Sequence, residues 1–131
     1  MTRQLDLFRG LPAFLVAALV GLAALPARAD PIRIIAEEAG CIWVALWNKE
    51  IAPIYPKSAE GRAAPLHRID IHDDPPPDIL FASRLTFTPT FVLVNEGREV
   101  GRIEGYPGED FFWGLLGQML TEAGIGYDRS G

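Results

Sequence analysis

The chain has 131 residues, with 12 lysine and arginine against 17 aspartate and glutamate, for a net charge of −5. That acidic balance excludes the basic face on which nucleic-acid binders depend, and the length leaves room for one small core rather than two. A single cysteine, Cys41, excludes an internal disulfide.

The first 29 residues read as export machinery. Arg3 and Arg9 make a basic start, Leu11 to Leu25 is apolar, and Ala27-Arg28-Ala29 places small residues where a signal peptidase reads. The apolar run is shorter than the roughly 20 residues of a membrane span. The sequence therefore predicts a signal peptide cleaved after Ala29 and a periplasmic or otherwise exported product. An uncleaved membrane anchor is the alternative reading. Residues 30–131 form the one remaining domain.

Ile32-Arg33-Ile34-Ile35-Ala36 is a β-branched run that predicts a first strand, and Glu37 to Gly40 is the turn at its C-terminal end. A helical pattern follows Cys41, with apolar residues at Val44, Trp47, Ile51 and Ile54, and Pro53 and Pro56 close it. Lys57 to Pro65 reads as a polar loop. Leu66 to Ile71 predicts a second strand, parallel to the first because a helix connects them. His72 to Pro77 is a connector stiffened by three prolines, and Asp78 is positioned to cap a short helix over Ile79 to Arg84. Phe91 to Val94 reads as a central strand buried on both faces. Asn95-Glu96-Gly97 is a hairpin turn, and Arg98 to Glu104 alternates like an edge strand with one wet face. The last helix carries an apolar stripe of Phe111, Phe112, Leu115, Leu116, Met119 and Leu120, with Phe111 and Phe112 as its anchor, and ends at Gly124.

The chemistry concentrates at Cys41. A thiol at a helix N-terminus meets unpaired N–H groups and the positive end of the macrodipole, and both favour the thiolate. Glu37 and Glu38 would oppose this if they approach the sulfur. A cysteine three residues on would complete Cys-x-x-Cys, but that position is Val44, so the resolving thiol is missing. The bland alternative is a buried cysteine packed as a small hydrophobe. Trp43 suits either the rim of a groove or the core. His67 and His72 with Cys41 match no common zinc spacing, so no metal site and no bound cofactor are expected.

This order of elements, with a cysteine after the first strand and Thr88-Pro89-Thr90 before the third, resembles the thioredoxin fold. The expected architecture is α/β, a small four-stranded mixed sheet flanked by helices in the order β-α-β-α-β-β-α. Thr-Pro-Thr-Phe-Val-Leu-Val, Gly-Arg-Ile-Glu-Gly-Tyr and Gly40-Cys41-Ile42-Trp43 are similar to the exported SoxS-type thioredoxin-like proteins of sulfur-oxidation operons. The resemblance implies a cis proline at Pro89 facing Cys41, and a substrate peptide held along Thr88; Trp43, by its place beside the cysteine, is the candidate rim of that groove. It implies as partner an exported protein with a reactive cysteine, possessed by the sulfur-oxidation system. Val44 departs from the family's second cysteine, which turns the implied dithiol cycle into monothiol exchange completed by an external thiol such as glutathione. A non-catalytic module that binds an extended segment of a partner is the competing reading.

Overall fold

A computed structural model describes residues 30–128; the predicted signal segment and its cleavage site lie outside them. Strand β1 (Ile32–Glu37) leads into helix α1 (Ile42–Glu50), then a 3-10 turn at Tyr55–Lys57 and a short helix α2 (Ala59–Ala63). Strand β2 (Leu66–Asp70), strands β3 (Thr90–Asn95) and β4 (Arg98–Glu104), and helix α3 (Glu109–Glu122) complete the order. The sheet runs β2-β1-β3-β4, with β1 and β2 parallel and the other two pairings antiparallel. This is the α/β architecture of a thioredoxin-like fold.

The alternation of β1 and β3 divides the interior between two faces. Ile35, Phe91 and Leu93 point toward α1 and α3, where Trp47, Ile51, Tyr55, Phe112, Leu116 and Leu120 close over them. Ile34, Val92 and Val94 point the other way, under Ile79, Phe81 and Leu85 of the long connector. Phe91, Val92 and Leu93 are fully buried, as a central strand covered on both sides requires.

Three expectations need correction. Ile79 to Arg84 is not a helix. Leu80 instead bridges Arg98 in parallel, its N–H donating to Gly97 and its carbonyl accepting from Glu99. The next backbone groups go to side chains of β4: Ala82 N–H donates to Glu99, and Arg102 donates to the carbonyls of Ser83 and Arg84. With its backbone bonds committed to β4, the segment has none left for a helical turn. The strap also covers part of the expected wet face, where the Glu99–Arg102 pair at 2.7 Å retains only 6% and 13% exposure.

The second correction is α2, which replaces part of the expected Lys57–Pro65 loop. Ser58 caps it by accepting from the Gly61 N–H at 2.9 Å, while its own hydroxyl donates to the Tyr55 carbonyl. The third concerns apolar faces. Phe112 is fully buried, but Phe111 is 71% exposed, and Ile54 lies in the turn beyond α1 and is exposed too.

Candidate functional site

Parallel pairing of β1 with β2 brings the ends of both strands to one rim of the sheet, in the register Glu37 beside Asp70. The chain leaves β1 through a tight turn in which Gly40 takes φ +83°, a region open to glycine and strained for other residues. Cys41 then serves as the N-cap of α1, with extended backbone dihedrals and its carbonyl accepting from the Ala45 N–H at 3.1 Å. Its side chain makes no cap bond of the usual kind, so the first N–H groups of the helix remain available to the sulfur.

The facing wall comes from the loop before β3. The Thr88–Pro89 peptide is cis, and the Cys41 sulfhydryl donates to the Thr88 carbonyl at 3.4 Å. That loop is pinned from two sides: the Thr90 hydroxyl donates to the Phe87 carbonyl at 2.6 Å, and Gly105 N–H donates to the Pro89 carbonyl at 2.7 Å.

Burial pushes the Cys41 thiol up. The Thr88 side chain and the Val44 and Trp43 N–H groups favour the thiolate and pull it down, and the Glu38 charge pushes it up again. The balance lies below the ordinary cysteine value, so the thiolate forms more readily than on an unstructured chain. Of the two neighbouring acids, only Glu38 opposes ionisation. Glu37 is held by Arg68 at 2.6 Å, and Arg68 in turn donates to Asn48 and lies over the Trp47 ring at 5.4 Å.

The structure brings Cys41 and the Thr88–Pro89 loop together and leaves the cysteine partly exposed rather than sealed. Trp43 is 52% exposed and stands on the surface beside the thiol, with Ile42 and Phe87 exposed near it. Val44 is buried at 6% exposure, so the position three residues on packs inward as a hydrophobe. His67 lies exposed on β2, away from the cleft. Among the described residues, no three His, Cys, Asp or Glu side chains gather in a metal-binding arrangement.

Two features of the site escape a reading of motifs. Glu38, Asp70 and Asn48 line the same cleft as Cys41, a space of about 450 Å³, and His72 pairs with Glu38 at 2.8 Å. The signal for that pair is the parallel register itself: residues just past Asp70 must lie beside those just past Glu37. Phe87 is the second, and its only cue is its place one residue before Thr88.

No protein-family model and no curated protein matches the chain. Among solved structures it is similar to the periplasmic thioredoxin SoxS from Paracoccus pantotrophus, in its reduced form, with 48% sequence identity and a TM-score of 0.70. The match covers 72% of this chain and 99% of that one.

Proposed function

The chain belongs to the SoxS-type thioredoxin-like family, and from that premise we propose that it is an exported monothiol exchange protein of a sulfur-oxidation system. The Cys41 thiolate attacks one sulfur of a partner's disulfide, forming a mixed disulfide and releasing the other sulfur as thiolate. With Val44 at the resolving position, an external thiolate must attack that mixed disulfide. It bonds to the partner's sulfur and returns Cys41 as thiolate. Glutathione or another thioredoxin has the required chemistry, whereas attack by the partner's own released cysteine simply reverses the first step. No electrons are gained or lost by Cys41 over the full cycle.

The observation that carries this reading is a partly exposed thiol at the N-terminus of α1, lowered below its ordinary pKa and 3.4 Å from the Thr88 carbonyl. Export to the periplasm is supported by the basic and apolar start of the sequence and by the location stated for the SoxS relative. The direct experiment is incubation with bis(2-hydroxyethyl) disulfide followed by intact mass. One mercaptoethanol adduct on the folded protein, absent from Cys41→Ser and removed by added thiol, is the expected result. No adduct before unfolding would end the proposal.

The exposure of Ile42 (72%), Trp43 (52%) and Phe87 (57%) favours a second reading, a module that binds an extended partner segment without exchange. Partner binding that survives Cys41→Ser and fails when Thr88 or Pro89 is replaced would select it.

A further inference from the structure

We propose that His72 is a positioning residue for Cys41, acting through Glu38 to set how much thiolate the site holds. This rests on Cys41 working as a thiolate and adds a second residue to that chemistry.

The geometry is a short relay along the rim where β1 and β2 end. Glu38 turns the chain into α1, its carbonyl accepting from the Cys41 N–H at 3.2 Å, and its carboxylate shares the cleft with the thiol. His72 leaves β2 held by its own backbone, its N–H donating to the Asp70 carboxylate at 2.8 Å. Its ring Nε2 lies 2.8 Å from the Glu38 carboxylate. The other charges at this rim are the Arg68–Glu37 pair, which is already neutral as a unit, and the acids Asp70 and Asp73 beside His72.

Glu38 is the charge that opposes the thiolate, and among the described residues His72 is the basic side chain in contact with it. As imidazolium, His72 cancels that charge. As neutral imidazole it leaves the charge standing. Thiolate at Cys41 and imidazolium at His72 therefore favour each other through a shared carboxylate, and the coupling is reciprocal.

The directions of titration bring the two events together. The hydrogen bond to Glu38, then the Glu38 charge, raise His72 above its ordinary value, with Asp70 and Asp73 adding to the rise, while Cys41 is lowered. For a group raised on folding, the contribution is complete below the unfolded-state pKa and is lost as pH rises through the folded-state one. The help that His72 gives Cys41 is thus a feature of the acidic and near-neutral range.

The test is the rate of Cys41 alkylation by iodoacetamide against pH, in the wild-type protein and in His72→Gln, His72→Arg, Glu38→Gln and the Glu38→Gln/His72→Gln double variant. Iodoacetamide is uncharged, so the rates report thiolate content rather than attraction of the probe. His72→Gln keeps a hydrogen-bonding side chain and removes the charge. It should slow alkylation about two- to fivefold where wild-type His72 is protonated, the range an exposed ion pair supports. The slowing should fade at higher pH. His72→Arg should restore the rate and extend it upward in pH. Glu38→Gln should be faster than wild type and should make His72→Gln silent.

An unchanged profile in His72→Gln, or the same slowing when Glu38 is already Gln, would overturn the role of His72. A wild-type Cys41 that fails to react while folded would instead defeat the exchange reading, and the role of His72 with it.

Discussion

Arg33 offers the sharpest energetic test of how this core is built. Its side chain is fully buried on the α1 and α3 face, and its Nε, Nη1 and Nη2 have no hydrogen-bond partner among the described residues. The guanidinium instead lies over three rings, 4.4 Å from Phe112, 4.8 Å from Phe91 and 5.3 Å from Tyr55. The Tyr55 hydroxyl donates to the Ala64 carbonyl at 2.6 Å, and its oxygen, still able to accept, offsets part of the cost of burying the guanidinium. Desolvation by burial lowers the Arg33 pKa, with the neighbouring Tyr55 opposing that shift. Cation–π contacts contribute about 2 kcal/mol each when desolvated, or about 6 kcal/mol here at most. Removing the charge from water costs several kcal/mol, and unmet N–H donors add about 1–3 kcal/mol each. The costs exceed the gain. Arg33→Met spans much of the same length without charge or donors, and should stabilise the protein by about 1–3 kcal/mol. Arg33→Ala leaves a hole among three rings and should lose about 2–4 kcal/mol. Urea unfolding, with an unchanged denaturant slope, measures both. A Met variant less stable than wild type would show that the aromatic cage outweighs desolvation, and would refute this accounting.

Other outcomes follow from single contacts. Gly61→Ala, ordinarily worth about 1 kcal/mol of added helix stability, should destabilise by about 2 kcal/mol or more, because the new Cβ would stand 1.8 Å from the Tyr55 carbonyl oxygen; thermal unfolding decides the sign. Thr88→Val removes the side-chain hydroxyl that favours the thiolate, and at about 1–1.5 kcal/mol should cut thiolate content near neutral pH several-fold, as read by ultraviolet thiolate absorbance. Tyr106 donates to the Glu50 carboxylate at 2.5 Å, and burial, then Glu50, raise its pKa. Tyr106→Phe should lose about 1–2 kcal/mol at neutral pH. Because the folded value is raised, wild-type stability is complete below the unfolded tyrosine pKa and falls as pH rises through the folded one; that alkaline loss should shrink in the Phe variant.

Much of the frame is legible in residues alone. The β-branched run of β1, the spacing of Val44 and Trp47, the four apolar residues of β3 and the stripe of Phe112, Leu116 and Leu120 are strong local periodicities that tertiary packing reinforces. Arg33 was not legible as a core residue: an arginine inside an apolar strand run reads as outward, and only the packing of three rings shows otherwise. The strap over Leu80 to Arg84 escaped for a related reason. Its backbone partners, Glu99 and Arg102, lie on a strand about 20 residues away, and a local pattern carries no trace of them. Helix α2, at five residues, is too short to show a period, although Ser58 is the cap such a helix would use. At the site, Cys41, Thr88 and Pro89 were legible because they form a recurrent constellation. The Glu38–His72 pair follows from strand register and was not read from motif.

The central claim is that Cys41 is an accessible nucleophile with a lowered pKa, and the pH dependence of its alkylation in the folded wild-type protein tests it most directly. The account predicts a midpoint below that of the same cysteine in the urea-unfolded chain, with a folded-state rate above the midpoint close to that of a free thiolate. A midpoint at or above the unfolded value, or reaction only after unfolding, would contradict it and leave the site as a binding surface around an inert thiol.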